Sequence, residues 1–184
     1  MTIAEPNTTT DIDSESSVID NALIDNTQLA PKAHLILGLD YGVKKMGMAL
    51  GNTLTQTARA FDILAMNNGQ PDWDNLLGII QTWGVTIVVV GLPLNMDGSS
   101  SMLSKRAHKF ARRLAHRLME QGVPTSVLLS DERLTSVGAR ELAWENGWIK
   151  NERDPIDDIS ACILLSAYFA DPSCALPIDA IKAE

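Results

Sequence analysis

At 184 residues the chain has room for one domain with a real core, and 45% hydrophobic residues with few aromatics suit an ordinary globule. No apolar stretch approaches the roughly 20 residues that span a bilayer, and the N-terminus lacks the basic-then-apolar pattern of a signal peptide, so a membrane-bound or exported protein is not expected. The net charge of −8 argues against a nucleic-acid binder until it is divided by region. Residues 1–33 hold six acids and one base, and residues 171–184 hold three acids and one base, which leaves 34–170 at −1. Within that middle, Lys105 to Arg117 carries six Lys or Arg and no acid. The acidity therefore belongs mostly to the ends, and the middle is polarised. Cys162 and Cys174 read as free thiols, Cys162 buried, which suits a reducing cytoplasm.

Residues 1–33, rich in Thr, Ser, Asn and Asp without a sustained period, are expected to be a disordered or loosely attached tail. The first element is LILGL, Leu35 to Leu39, closed by Asp40. A Gly-bracketed turn and a second apolar run, Met46 to Leu50, make this a hairpin. Ala58 to Ala65 supplies a third strand. Asp72 or Asp74 opens a helix that ends at Gly84, with Trp73, Leu76, Leu77, Ile80 and Trp83 on one face. Val85 to Val90, β-branched almost throughout, reads as a strand covered on both faces. It leads into a loop punctuated by Pro93 and Gly98.

Met102 to Gln121 carries the clearest helical period. Leu103, Ala107, Phe110, Leu114 and Leu118 line one face, and Lys105, Lys109, Arg112, Arg113 and His116 lie off it. A strand over Thr125 to Leu129 delivers Asp131 and Glu132; a helix over about Ser136 to Asn146 follows. A last helix, Ile156 to Ala170, opens with Asp157 and Asp158. Residues 171–184 read as a tail. The order β-β-β-α-β-α-β-α-α predicts an α/β domain over 34–170. Its mixed five-stranded sheet, of order 3-2-1-4-5, has helices on both faces, because helical crossovers imply parallel pairing.

In that arrangement the first, fourth and fifth strands end on one edge, where open α/β sheets place ligands. Asp40, Glu132 with Asp131, and Asp157 or Asp158 could all meet there. Carboxylates collected at one point repel unless a cation neutralises them. All-oxygen donors favour Mg²⁺ or Mn²⁺, and two such ions about 4 Å apart can activate a water against a phosphodiester.

The motifs GLDYGVKKMGMAL, VVVGLPLNMDGSS, KRAHKFARRL, SDERLTSVGA and IDDISACILLSAYF, in that order over about residues 34–170, resemble the YqgF/RuvX family of bacterial RNase H-like nucleases. Members are described as Holliday junction resolvases and as pre-16S rRNA nucleases. The resemblance implies an RNase H-like fold and a catalytic, metal-holding triad of Asp40, Glu132 and Asp157. It also implies Mg²⁺ or Mn²⁺ and hydrolysis that leaves a 5′-phosphate and a 3′-hydroxyl. It favours Asp157 over Asp158, since successive helix residues point about 100° apart and only one can face a shared metal. Where the family usually has Lys-Arg this chain has Lys44-Lys45, which keeps the charge but loses the bidentate fork.

Several other groups have a bland reading beside the functional one. Lys44, Lys45, Arg106, Lys109 and Arg133 are the candidate phosphate contacts. Against this, a basic helix face is usually only solvated, and Arg133 could instead pair with Glu132. Asn95 and Asp97 are expected to form a turn, with Asp97 an outside candidate for a metal contact. His108 and His116 are expected at the surface, and Trp144 and Trp148 in packing rather than base stacking.

The leading expectation is a cytoplasmic, metal-dependent nuclease, monomeric or dimeric, acting on pre-16S rRNA or on a branched DNA junction. Two readings compete with it. The Asp40-Tyr41-Gly42 turn also resembles the phosphate-binding hairpin of actin-like ATPases, which need two such lobes. The chain could also be a non-catalytic RNA-binding ribosome-assembly factor.

Overall fold

A computed structural model describes residues 33–95, 97–132, 139–149, 151 and 159–180. The hairpin forms as expected: β1 (Leu35–Asp40) pairs antiparallel with β2 (Lys45–Asn52), Leu37 opposite Leu50 and Asp40 opposite Gly47. β3 (Thr57–Asn67) extends the meander on β2. A two-residue β4 (Gln70–Pro71) folds back on it. Asp72 caps α1 (Trp73–Thr82) by accepting hydrogen bonds from the backbone N–H groups of Asp74 and Asn75.

Strand β5 (Val85–Leu92) runs parallel to β1, pairing Leu39 with Val90, and β6 (Ser126–Asp131) runs parallel to β5, pairing Leu92 with Asp131. The crossover between them is α2 (Met102–Glu120), started by a reciprocal Ser101–Ser104 capping box. Because α2 joins two parallel strands, it runs back against them, and its Met102 end lies at the edge where β1, β5 and β6 finish.

The sheet order is β4-β3-β2-β1-β5-β6-β7. The five expected strands keep their order, but among the described residues the sheet has seven. The two additions, β4 and β7 (Ala175–Pro177), span two and three residues and are too short to show an alternation. β7 also places part of the expected C-terminal tail in the sheet, antiparallel to β6. The N-terminal stretch 1–32 lies outside the described residues.

Side-chain alternation along the strands sorts the core into two layers. Leu37, Leu39, Val88, Val90 and Leu129 pack with Leu76 and Ile80 of α1 and Phe110, Leu114 and Leu118 of α2. This is the helix stripe that the sequence period marks, and each such side chain contributes about 1.5–3 kcal/mol on burial. On the opposite face Ile36, Ala49 and Val89 pack with Ala143 of α3 (Ala139–Glu145) and with Ile163, Leu164 and Leu165 of α4 (Ser160–Ala170). Gly38 lets α4 approach β1, since a Cβ there would meet Leu165 Cγ at 2.7 Å and the Ala161 carbonyl oxygen at 2.9 Å. That approach sets the start of α4 beside the end of β1.

Candidate active site

Asp40 ends β1 and Glu132 directly follows β6, with β5 between them in the sheet. The position that separates them is Gly91. It pairs with Ser130 of β6 and follows Val90, the partner of Leu39. The Glu132 carboxyl lies over the bare Cα of Gly91: a Cβ built there would fall on Oε1 and stand 2.9 Å from the carboxyl carbon. By crossing β5 at this gap Glu132 reaches Asp40, and the two side chains share a hydrogen bond.

The electrostatics follow from that placement. Burial, the Asp40 charge, the hydrogen bond to Asp40 and the nearby Asp131 together push Glu132 up to about 8. A group whose folded pKa exceeds its unfolded value of 4.5 keeps its proton while the unfolded chain releases it. Folding stability from Glu132 is therefore lost as pH rises from about 4.5 to about 8. Without divalent cation, the melting temperature should fall between pH 5 and pH 8, and Glu132→Gln should flatten that decline. A slope identical in the two proteins would show that Glu132 does not sit buried beside Asp40.

Asp40 also opens on a cleft of about 170 Å³ shared with Tyr41, Gly42, Lys45, Gly47, Ile63 and Ser160, the first residue of α4. Lys45 thus shares the cleft of Asp40, and Lys44 is exposed in the same turn. Asp157, Asp158 and Arg133 lie outside the described residues. Among the described residues no three His, Cys, Asp or Glu side chains are grouped to hold a metal. The donors that do meet, Asp40 and Glu132, are all oxygen and mutually repulsive, which fits a hard divalent cation.

The other two described cation candidates stand apart. Arg106 donates to the Asn68 carbonyl at 3.1 Å and to Asn68 Oδ1 at 2.6 Å, tying α2 to the β3–β4 turn; Lys109 is exposed further along the helix. That turn is held on its inner side by the Tyr41 hydroxyl, which donates to the Gly69 carbonyl at 3.1 Å. Asn95 and Asp97 form the expected turn, Asn95 donating to Ser99 Oγ and Asp97 accepting from the Ser99 backbone and hydroxyl.

Two expectations need correcting. His108 is buried, its Nε2 3.3 Å from the Ile178 carbonyl in a turn of the supposed tail. Trp144 is 54% exposed, whereas Trp148 packs against the α4 layer. Gly91 is the residue that sequence reasoning missed. Its one signal is position, a glycine directly after the β-branched run Val85–Val90 and one residue short of the end of β5.

The model of the family described as "RuvX: Holliday junction resolvase" matches residues 34–171. The chain belongs to this family. A Psychrobacter arcticus protein provisionally named pre-16S rRNA nuclease is 75% identical over 174 residues, covering 95% of this chain and 94% of that protein. A Coxiella burnetii protein of the same name is 39% identical over 142 residues, covering 77% and 96%. Among solved structures, Thermus thermophilus RuvC in complex with a Holliday junction substrate aligns at TM-score 0.53. Its 15% identity extends over 78% of this chain and 99% of that one, a likeness of fold. The sheet is thus the RNase H-like sheet of the resolvases.

Proposed function

We propose that this RuvX-family chain is a divalent-metal-dependent nuclease that hydrolyses phosphodiester bonds in structured nucleic acid, with the 5′ end of pre-16S rRNA as its substrate. The observation that carries the reading is the Glu132 carboxyl crossing β5 at Gly91 to meet Asp40. Two carboxyls brought together from distant strands, one of them driven up to about 8, are a costly arrangement that a cation relieves. Asp40 and Glu132 would hold Mg²⁺ or Mn²⁺, joined by Asp157, which stands three residues before Ser160 in the sequence, and Ser160 borders the Asp40 cleft. Such a cation supplies a Lewis acid for the phosphoryl oxygens and acidifies a water for attack. Lys44, Lys45 and Arg133 bind the phosphates flanking the scissile bond, while Arg106 and Lys109 extend the basic surface along α2. The names carried by the 75% and 39% identical relatives support pre-16S rRNA over a DNA junction.

The test is an end-labelled pre-16S fragment that keeps its 5′ precursor segment, set beside a four-way DNA junction. Each is incubated with Mg²⁺, Mn²⁺ or EDTA. The RNA should be shortened in either metal and left whole in EDTA. Preferential cutting of the junction would move the assignment to a resolvase, and no product from either substrate in either metal would overturn it.

A further inference from the structure

We infer that the outward face of α2 is a second nucleic-acid contact, one that holds the phosphate backbone of a segment flanking the one being cut. The outer side of α2 meets Gln70 and Trp73 in an open groove of about 870 Å³. Lys105, Lys109 and Arg112 project into it, exposed and, among the described residues, without a side-chain partner. Two more cations are fixed at its wall. Arg113 donates to Gln70 Oε1 at 2.8 Å, and the Arg117 guanidinium sits 4.8 Å from the Trp73 ring centre. Trp73 is itself stacked on Phe110, with ring centroids 5.6 Å apart and planes 20° apart.

A helix face that merely meets water usually interleaves acids with bases, because like charges at i,i+4 destabilise the helix. Here Lys105, Lys109, Arg113 and Arg117 follow one another at that spacing. The one acid of the lining, Glu120 at the far end, is engaged by His116 at 3.2 Å. So dense a patch on a chain of net charge −8 is matched by a polyanion, whose phosphates relieve the repulsion. At 1.5 Å per residue, Lys105 to Arg117 covers about 18 Å, enough for several consecutive phosphates. The Arg117–Trp73 stack offers a planar platform to a base at one end.

The groove and the acids use opposite sides of the sheet. α2 covers the layer of Leu37 and Leu39, whereas the Asp40 cleft is bordered by Ser160 of α4. The Met102 end of α2 nevertheless lies at the same sheet edge as Asp40. Nucleic acid held in the groove would therefore leave the catalytic edge and run away from it. This last point rests on the nuclease reading; the contact itself does not.

The test separates the two by measuring binding in EDTA, where nothing is cut. A fluorescently labelled RNA hairpin with a single-stranded flank is titrated with the full chain and with Lys105→Ala/Lys109→Ala/Arg112→Ala, from 50 to 200 mM NaCl. Alanine keeps the helix, which circular dichroism verifies. The variant should bind at least about tenfold more weakly at 100 mM salt. Its log Kd against log salt should flatten by about 2 to 3, from 0.7–0.9 per lost phosphate contact. A folded variant with wild-type affinity, or with weaker affinity but an unchanged salt slope, would overturn the proposal. So would a wild-type chain that fails to bind the hairpin at 50 mM salt. Salt-sensitive binding in EDTA from a protein that never cleaves would sink the nuclease reading and leave the groove standing.

Discussion

Asp40→Asn should lower metal-dependent cleavage by at least about 10³-fold, because a cation contact in the transition state is worth several kcal/mol and each 1.36 kcal/mol is a factor of ten. The substitution keeps the shape of the side chain at the end of β1 and removes the carboxylate that Glu132 meets across β5. Stability should move the other way. Glu132 would no longer face a carboxylate, so the metal-free variant should melt no lower than wild type at about pH 9, above the Glu132 value of about 8, where both carboxyls of the parent are ionised and repel. Cleavage rates with saturating Mg²⁺ and a melting curve in EDTA read the two effects separately. Lost activity with a large drop in melting temperature would mean that Asp40 holds the fold rather than the reaction.

Gly91→Ala tests the same site from the strand between the acids. The new methyl would occupy the place of Glu132 Oε1, and Oε1 is the far end of a flexible side chain. Glu132 can rotate aside at little cost to folding, yet it then no longer reaches Asp40. Activity should therefore fall by at least about 10²-fold, since a misplacement of about 1 Å at a reacting centre costs that much. The melting temperature should change by only a few degrees. Excess Mn²⁺ should not restore the rate, because the ligand has moved rather than weakened. A Gly91→Ala protein with full activity would show that Glu132 does not work from across β5.

The two halves of the site differed in how much the sequence disclosed. Asp40 was legible as an acid closing an apolar run, and Glu132 as part of the SDERLT motif. Neither signal reported that the two share a hydrogen bond, which depends on a glycine in a third strand. His108 shows the same limit. It lies at the margin of the apolar stripe of α2, and its burial comes from Ile178, in a segment that shows no period of its own. Trp144 failed in the other direction. Its bulk suggested packing, but the helix it rides on turns it to solvent.

The sequence by itself determined the order of strands and helices, the stripe of α2 that faces the core, the acids available for chemistry and the run of six cations. These are properties of neighbours along the chain, where a period of two or 3.6 residues suffices. Only the tertiary structure decided that Glu132 passes over Gly91 to Asp40, and that the α2 cations face away from the layer in which those acids meet. Both depend on strand register and on how far a side chain reaches into the next element, distances that no local pattern encodes.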